Sequence, residues 1–196
     1  MNVAFNIDCM EGMKRYPDGY FDLAVVDPVY GDVPYGGYMS NSGGGIAGHK
    51  DYHNAIWEQE KTGPEYFKEL FRVSKNQIIW GGNYFALPPT RCFLIWRKLT
   101  ISEKFSMAMA EYAWTSFNLN AKVYEHAPQD PTGRRFHPTE KPLDLYMWVI
   151  SNYAKPGDKI LDPMAGSGNC LRACRLTGHD YVGFEIDPEY YEKANA

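Results

Sequence analysis

The sequence predicts an α/β fold in which a mostly parallel β-sheet carries helices on both faces. Two observations support this prediction. Short apolar runs alternate with amphipathic segments along most of the 196 residues, and several of these runs are apolar throughout. Strands that alternate with helices form parallel sheets, and strands that are buried on both faces are continuously apolar. We expect a single domain over residues 1–196, because this length supports one full α/β core but hardly two.

The first part of the chain contains the strongest predicted strand. Residues 2–8 form a short strand, and a helical turn or two follows over residues 11–16. The run FDLAVVDP, residues 21–28, is apolar until it ends in an acid and a proline, which indicates a central strand. A glycine-rich loop over residues 29–56 follows, and a loop of this length in a compact domain is usually functional or disordered. Residues 64–73 form a helix that begins with a proline and is apolar on one face.

The second part of the chain continues the alternation. We expect strands at 76–82, 92–99 and 111–117, a short helix at 103–110 and a loop at 118–137. The last predicted elements are a helix at 142–154, a strand within 155–163, a helix at 166–177, a strand at 180–187 and a final helix from Pro188. Ligands of such sheets bind beyond the carboxyl ends of the strands, so the residues that follow each strand are the candidate site residues.

Composition and charge are those of an ordinary soluble protein, with 44% hydrophobic and 22% charged residues. We see no secretory signal and no membrane-spanning run, and the four cysteines and five histidines lack metal-ligand spacing, so we expect a reduced cytoplasmic setting and no metal. The net charge of −4 counts mildly against a nucleic-acid partner, although a local basic patch can still contact phosphates. The candidates for that patch are Arg91, Arg97, Lys98, Lys104, Arg134 and Arg135.

The segment Asp162–Gly168 (DPMAGSG) follows a strand and opens a helix, which is the geometry of a cofactor loop. Glu185 ends the next strand, where an acid can accept hydrogen bonds from ribose hydroxyls. A tight strand-to-helix turn is the alternative interpretation of the loop alone. Position 171 is Leu rather than the third glycine of a dinucleotide loop, and Asp162 would repel a pyrophosphate. An acid there suits a ligand with an ammonium group, so we favour S-adenosylmethionine over NAD.

The segment Asp27-Pro28-Val29-Tyr30 ends the strongest predicted strand and is the candidate catalytic turn. The Asp27 carboxylate and the Pro28 carbonyl can both accept hydrogen bonds from an amino group, which aims the nitrogen lone pair at a methyl donor. Tyr30 would stack on the base that carries the amino group. The alternative is structural: Asp27 caps a turn and Tyr30 belongs to the core.

Together these motifs resemble those of the DNA amino-methyltransferases that make N6-methyladenine or N4-methylcytosine. Asp27–Tyr30 is similar to their DPPY turn and Asp162–Gly168 to their DP-x-x-GSG loop, and the turn precedes the loop as in the circularly permuted β class. Residues 137–142 (HPTEKP) resemble the HPTQKP segment of that class, and residues 6–13 (NIDCMEGM) resemble its GDCLEGM opening. Residues 76–85 (NQIIWGGNYF) are similar to short members from phages and prophages.

The resemblance implies a Rossmann-like class I methyltransferase sheet and S-adenosylmethionine as cofactor. It implies DNA as partner, with the target base flipped out of the duplex, and relatives of this class often form dimers and serve restriction-modification. The catalytic set would be Asp27, Pro28 and Tyr30. The cofactor set would be Asp8, Cys9, Thr139, Lys141, Asp162, Pro163, Met164, Gly166, Ser167, Gly168 and Glu185.

The resemblance leaves several functions open. An Asp-led turn is commoner with adenine than with cytosine in this family, so we favour N6-adenine methylation over N4-cytosine methylation. Val29 stands where the family has a second proline, which removes a φ restraint and allows a relative that binds cofactor and DNA but transfers little or no methyl. Amino groups of RNA or of a protein glutamine are further candidates. Little chain follows Glu185, so we expect residues 29–56 or 118–136 to read the DNA; the alternatives are that a partner reads it or that specificity is low.

Overall fold

The computed structural model describes residues 1–31, 61–105, 107–128 and 135–196, and every structural statement below concerns these ranges. The strands are β1 (Asn2–Asn6), β2 (Phe21–Val26), β3 (Ser74–Trp80), β4 (Phe93–Lys98), β5 (Ala110–Thr115), β6 (Lys122–His126), β7 (Lys159–Asp162) and β8 (Asp180–Glu185). The helices are α1 (Cys9–Met13), α2 (Pro64–Val73), α3 (Leu143–Tyr153), α4 (Asn169–Thr177) and α5 (Pro188–Asn195).

The strands form one eight-stranded sheet in the order β1-β8-β7-β2-β3-β5-β4-β6. Strands β1, β8, β7, β2 and β3 are parallel to one another, β5 runs antiparallel to both of its neighbours, and β4 and β6 are parallel. This confirms the mostly parallel sheet. It also brings the carboxyl ends of five strands, from β1 to β3, to one edge of the sheet, where ligands of such sheets bind.

The core lies on both faces of the sheet, as the apolar run in β2 predicts. Leu23 and Val25 pack on one face with side chains of α3 and α4. Ala24 and Val26 pack on the opposite face with side chains of α1 and α2. Successive side chains of a strand point to opposite faces, so a strand covered by helices on both sides must be apolar at every position. The prediction of helices on both faces is confirmed.

Two local predictions are wrong. The described residues of 103–110, which are 103–105 and 107–110, do not form a helix. Strand β5 pairs antiparallel with β4, and the backbone N–H of Lys98 donates to the carbonyl of Met109 at 2.8 Å. The stretch 118–137 is not a loop throughout, because β6 lies within it. Strand β6 is at the edge of the sheet and is largely exposed, so it has no continuous apolar run that would mark it as a strand.

The two segments that we expect to read DNA fall partly outside the described ranges. Residues 32–60, which make up most of the glycine-rich loop, and residues 129–134, which include Arg134, are among those not described. In the described part of the chain, every helix is too short or too polar to cross a lipid bilayer.

Candidate active site

A cavity of about 800 Å³ lies at the carboxyl ends of β1, β2, β7 and β8, which is within the size range of small-molecule sites. Most of the residues predicted for the site line it: Asp8, Cys9, Asp27, Pro28, Thr139, Lys141, Pro163, Met164, Gly166, Ser167 and Glu185. Asp162 and Gly168 lie behind this lining, and Tyr30 lines a second, smaller cavity. Residues from distant parts of the chain thus meet as the two motifs predict.

Glu185, at the end of β8, fixes the cofactor loop. Its carboxylate is 6% exposed and accepts hydrogen bonds from the backbone N–H of Gly166 at 2.7 Å and of Asp187 at 2.8 Å. Burial raises the pKa of Glu185, and these N–H donors oppose the rise. Each carboxylate oxygen has two lone pairs, so Glu185 keeps acceptor capacity for a ligand.

Gly166 is a point in this loop where the backbone passes close to another side chain. Its φ is +50°, and a Cβ atom there would lie 3.1 Å from Nε2 of His137. A side chain at this position would therefore be strained by the backbone and crowded by the imidazole. The glycine lets the loop pass between Glu185 and His137, so its role is defined by the tertiary structure as well as by the motif.

Asp162 lies beneath the loop and not on the cavity surface. It is 3% exposed, and it accepts a hydrogen bond from the backbone N–H of Met164 at 3.3 Å. Burial raises the pKa of Asp162 to about 7. In this structure Asp162 shapes the turn that begins the loop, and its contact with the methionine end of a cofactor stays a prediction.

Asp8 and Cys9 form the wall of the cavity next to β1. Asp8 caps α1, because its carboxylate accepts hydrogen bonds from the backbone N–H groups of Met10 at 2.9 Å and Glu11 at 3.1 Å. Burial, together with the charge of Asp8, raises the pKa of Cys9 to about 12, so the thiol is neutral at physiological pH. This wall can contact a neutral ring without a charged thiolate.

Both carboxylate oxygens of Asp27 are engaged. The Tyr30 hydroxyl donates to one oxygen and the Lys141 ammonium to the other. The Tyr30 ring packs against Tyr84, with ring centroids 5.0 Å apart, and covers Gly81, where a Cβ atom would overlap the Tyr30 ring. Gly81 follows β3 and has a φ of +62°, so the turn after β3 shapes the catalytic turn after β2.

The second cavity, of about 280 Å³, adjoins the first. Its aromatic lining consists of Tyr30, Tyr84, Trp96 and Tyr112. Asp27 and residues 139–141 line both cavities and therefore lie between them. A donor molecule in the larger cavity and an acceptor in the smaller one would meet at the Asp27 carboxylate, an arrangement suited to group transfer between two ligands.

A pair of charged residues in the apolar strands β4 and β5 belongs to this site and was not among the predicted site residues. Glu111 Oε1 lies 2.6 Å from Lys98 Nζ, and its other oxygen lies 3.3 Å from Lys141 Nζ. Lys98 is only 7% exposed, so its assignment to a phosphate-binding patch is wrong. A charge inside an apolar strand is a usable sequence signal, because charged side chains are almost never fully buried unless paired.

The pKa values of Glu111 and Lys141 favour the charged forms of both side chains. Burial disfavours the charge on Glu111, but Lys141 and Lys98 outweigh it and hold the pKa of Glu111 below its usual value. Burial also works against the charge on Lys141, yet Asp27 and Glu111 raise the pKa of Lys141 above its usual value. Glu111 and Lys141 are therefore both charged at neutral pH.

The HPTEKP segment is fastened to the start of α4 by Glu140. Its carboxylate accepts hydrogen bonds from the backbone N–H groups of Phe136 and His137, at 3.2 and 3.4 Å, and from the Asn169 side chain at 3.0 Å. Asn169 also donates to the Lys141 carbonyl at 2.9 Å. These bonds fix the backbone that carries Thr139 and Lys141 into the site. Within the described ranges, no cluster of acidic, Cys and His side chains is arranged to hold a metal ion.

Comparisons with known proteins agree with this geometry. A family model for DNA methylases of the N6/N4 type matches residues 95–196. YubD of Escherichia coli (strain K12), a protein named as a methylase, is 27% identical over 94% of this chain and 84% of its own length. The type II methyltransferase M.HinfI of Haemophilus influenzae is 25% identical over 99% of this chain and 67% of its own length.

Solved structures share the fold at low identity. The M1.HpyAVI-SAM complex superposes with a TM-score of 0.63 and 18% identity, covering 100% of this chain and 98% of the other. The PvuII DNA methyltransferase, which is cytosine-N4-specific, gives a TM-score of 0.65 and 12% identity, covering 98% of this chain and 84% of the other. The arrangement of strands and helices is thus that of class I methyltransferases.

Proposed function

The chain belongs to the N6/N4 family of DNA methylases, and from this premise we propose that it transfers a methyl group from S-adenosylmethionine to N6 of an adenine in DNA. One observation carries the proposal: Asp27 lies between two adjoining cavities and lines both. The larger cavity would hold the methyl donor, and the smaller one the base.

The residues of the larger cavity fit S-adenosylmethionine. Its volume of about 800 Å³ accommodates a nucleoside with an amino-acid tail. Glu185 would accept the ribose hydroxyls, Asp8 and the neutral Cys9 would lie against the adenine, and the backbone of Gly166 and Ser167 would contact the methionine end. Bound there, the cofactor supplies an electrophilic methyl group.

The residues of the catalytic turn would hold the acceptor amino group. The Asp27 carboxylate and the Pro28 carbonyl would accept its two N–H hydrogens, which directs the nitrogen lone pair towards the larger cavity. Tyr30 and Tyr84 would stack on the base. A base inside a duplex cannot reach this depth, so the target nucleotide would be flipped out.

Adenine is favoured as the target base because the first residue of the catalytic turn is an Asp. Methylation of N4 of cytosine is the alternative. Arg135 lines the smaller cavity, and the segment 118–136 that contains it is one proposed DNA-reading element, with residues 29–56 as the other. We further propose that residues 1–196 act as a single methyltransferase domain.

The experiment incubates the purified protein with methyl-labelled S-adenosylmethionine and DNA that lacks methylated bases, and then identifies the labelled nucleoside. We expect N6-methyladenine. Recovery of N4-methylcytosine would replace the adenine assignment, and absence of label from any DNA would contradict an active DNA methylase. Asp27→Ala should abolish transfer while cofactor binding, measured by calorimetry, stays near that of the wild type. Asp158→Asn is the control substitution, because Asp158 lines neither cavity, and it should leave both unchanged.

A further inference from the structure

Four charged side chains of alternating sign form a row across the site, from Asp27 through Lys141 and Glu111 to Lys98. Lys141 Nζ contacts Asp27 on one side and lies 3.3 Å from Glu111 Oε2 on the other. Glu111 Oε1 lies 2.6 Å from Lys98 Nζ. The Lys141 ammonium therefore has two carboxylate partners, and only one of them, Asp27, belongs to the catalytic turn.

The position of Lys141 matters for the proposed reaction, because its ammonium competes for the carboxylate that must accept the amino group. Tyr30 occupies the other Asp27 oxygen, so a base that enters the smaller cavity meets an acceptor that is already engaged on both oxygens. Lys141 is 5% exposed and cannot turn to bulk water in exchange. An ammonium that leaves Asp27 needs another buried partner.

Glu111 is placed to be that partner. It lies on β5 opposite Trp96 of β4, and its contact with Lys98 holds the carboxylate in place. The Lys98 ammonium is itself 5.1 Å from the centre of the Trp96 ring. Glu111 also lines the smaller cavity, which is the proposed site of the incoming base.

We propose that Glu111 is a positioning residue for methyl transfer, which takes over the Lys141 ammonium and so leaves an Asp27 oxygen for the amino group of the base. The shift is a change of hydrogen-bond partner, and no proton is transferred in it. This inference rests on the proposed function, because it requires Asp27 to accept an amino group. A purely structural role would instead be to neutralise the buried charge of Lys98.

The test compares Glu111→Gln with the double variant Glu111→Gln/Lys98→Met, in steady-state methyl transfer to DNA. Glu111→Gln should lower kcat about tenfold or more, the effect of losing a hydrogen bond to a charged group, while KM for the cofactor changes less than about twofold. The double variant removes the unpaired lysine and should regain folding stability, yet its kcat should stay low. In a Lys141→Met background, Glu111→Gln should have little further effect, because the two residues act as one unit.

The matched control is Glu69→Gln. Glu69 is another partly buried glutamate in an ion pair, with Arg72 at 2.6 Å, but it lies on α2 and lines neither cavity. We expect wild-type kcat from it. Recovery of kcat in the double variant would show that Glu111 only neutralises Lys98. If the fold-losses in kcat of Glu111→Gln and Lys141→Met multiply when the two are combined, Glu111 does not act through Lys141. Wild-type kcat in Glu111→Gln would also overturn the inference.

A measurement that does not depend on turnover is a crystal structure of the wild type with an adenine nucleoside in the smaller cavity. Lys141 Nζ should contact Glu111 and no longer Asp27, and in Glu111→Gln it should remain on Asp27. A wild-type complex with Lys141 still on Asp27 would overturn the inference. An inactive wild type would contradict the proposed function alone, because the crystal structures still report the partner of Lys141.

Discussion

Gly81→Ala is a sharp test of how the site is built, because Gly81 lies on a different strand end from the catalytic turn that it supports. The backbone there has a φ of +62°, and a Cβ atom would lie 2.8 Å from the Tyr30 hydroxyl oxygen and closer still to Cε1 and Cζ of that ring. These separations are far below contact distance, so the Tyr30 ring must move. The substitution therefore strains the backbone and displaces the hydroxyl that donates to Asp27.

The expected loss of folding stability in Gly81→Ala has two parts. A left-handed conformation costs a non-glycine residue about 1–2 kcal/mol, and forcing extra volume into a packed site costs about 1–3 kcal/mol. The sum is about 2–5 kcal/mol, and at roughly 2–4 °C per kcal/mol for a protein of this size Tm should fall by about 4–20 °C. Loss of the Tyr30 hydrogen bond to a carboxylate, worth about 1.5–3 kcal/mol, should lower kcat about tenfold or more.

The matched control is Gly157→Ala. Gly157 has a φ of +87°, and a Cβ atom there would meet nothing within 4 Å among the described residues beyond its chain neighbours, so alanine adds backbone strain alone. Thermal unfolding and methyl transfer are measured for both variants, with transfer assayed well below either Tm. We expect Gly157→Ala to lose about 1–2 kcal/mol of stability and to keep the kcat of the wild type. Equal effects of the two variants on both stability and kcat would refute the packing of Tyr30 on Gly81.

Three further predictions concern the cofactor loop and the catalytic turn. Glu185→Gln should weaken S-adenosylmethionine binding roughly 10- to 100-fold in calorimetry, since a charged acceptor is lost, and the exposed Glu192→Gln should not. The pKa of Asp162 is raised to about 7, so the folded state holds more protons than the unfolded chain between about pH 4 and pH 7, and its stability falls as pH rises through that window. Asp162→Asn has no ionisable group at this position and should not lose this stability. Its unfolding temperature should match that of the cofactor-free wild type near pH 4 and exceed it near pH 8. Parallel curves of unfolding temperature against pH would contradict the burial of an ionisable Asp162. Val29→Pro should fold and keep at least wild-type kcat. The Thr62 N–H donates its backbone hydrogen bond to the Val29 carbonyl, and proline keeps that carbonyl. A much lower kcat would show that the turn requires valine.

Periodicity and motif order predicted the parts of the molecule whose signals are local. The apolar run of β2, the loop at Asp162–Gly168 and the acid at Glu185 each carry a recognisable pattern, and the rule that parallel strands place their carboxyl ends together explains why they meet. The same reasoning failed at β6 and at residues 103–110. Strand β6 lies at the edge of the sheet and is not buried on both faces, so it need not be apolar throughout. At residues 103–110, the pairing of β5 with β4 outweighs the helical preference of the segment before β5.

What the sequence by itself determined is therefore the α/β sheet, the family and about half of the residues that line the larger cavity. Each of these follows from a short pattern and one rule of sheet geometry. Only the tertiary structure decided the partners of those residues. It placed Lys141 on Asp27, Glu111 beside Lys141 and the Tyr30 ring over Gly81, and it buried Asp162 behind the loop. These contacts join residues that are far apart in the chain, so no local pattern records them, and they set the charges and the packing on which the proposed transfer depends.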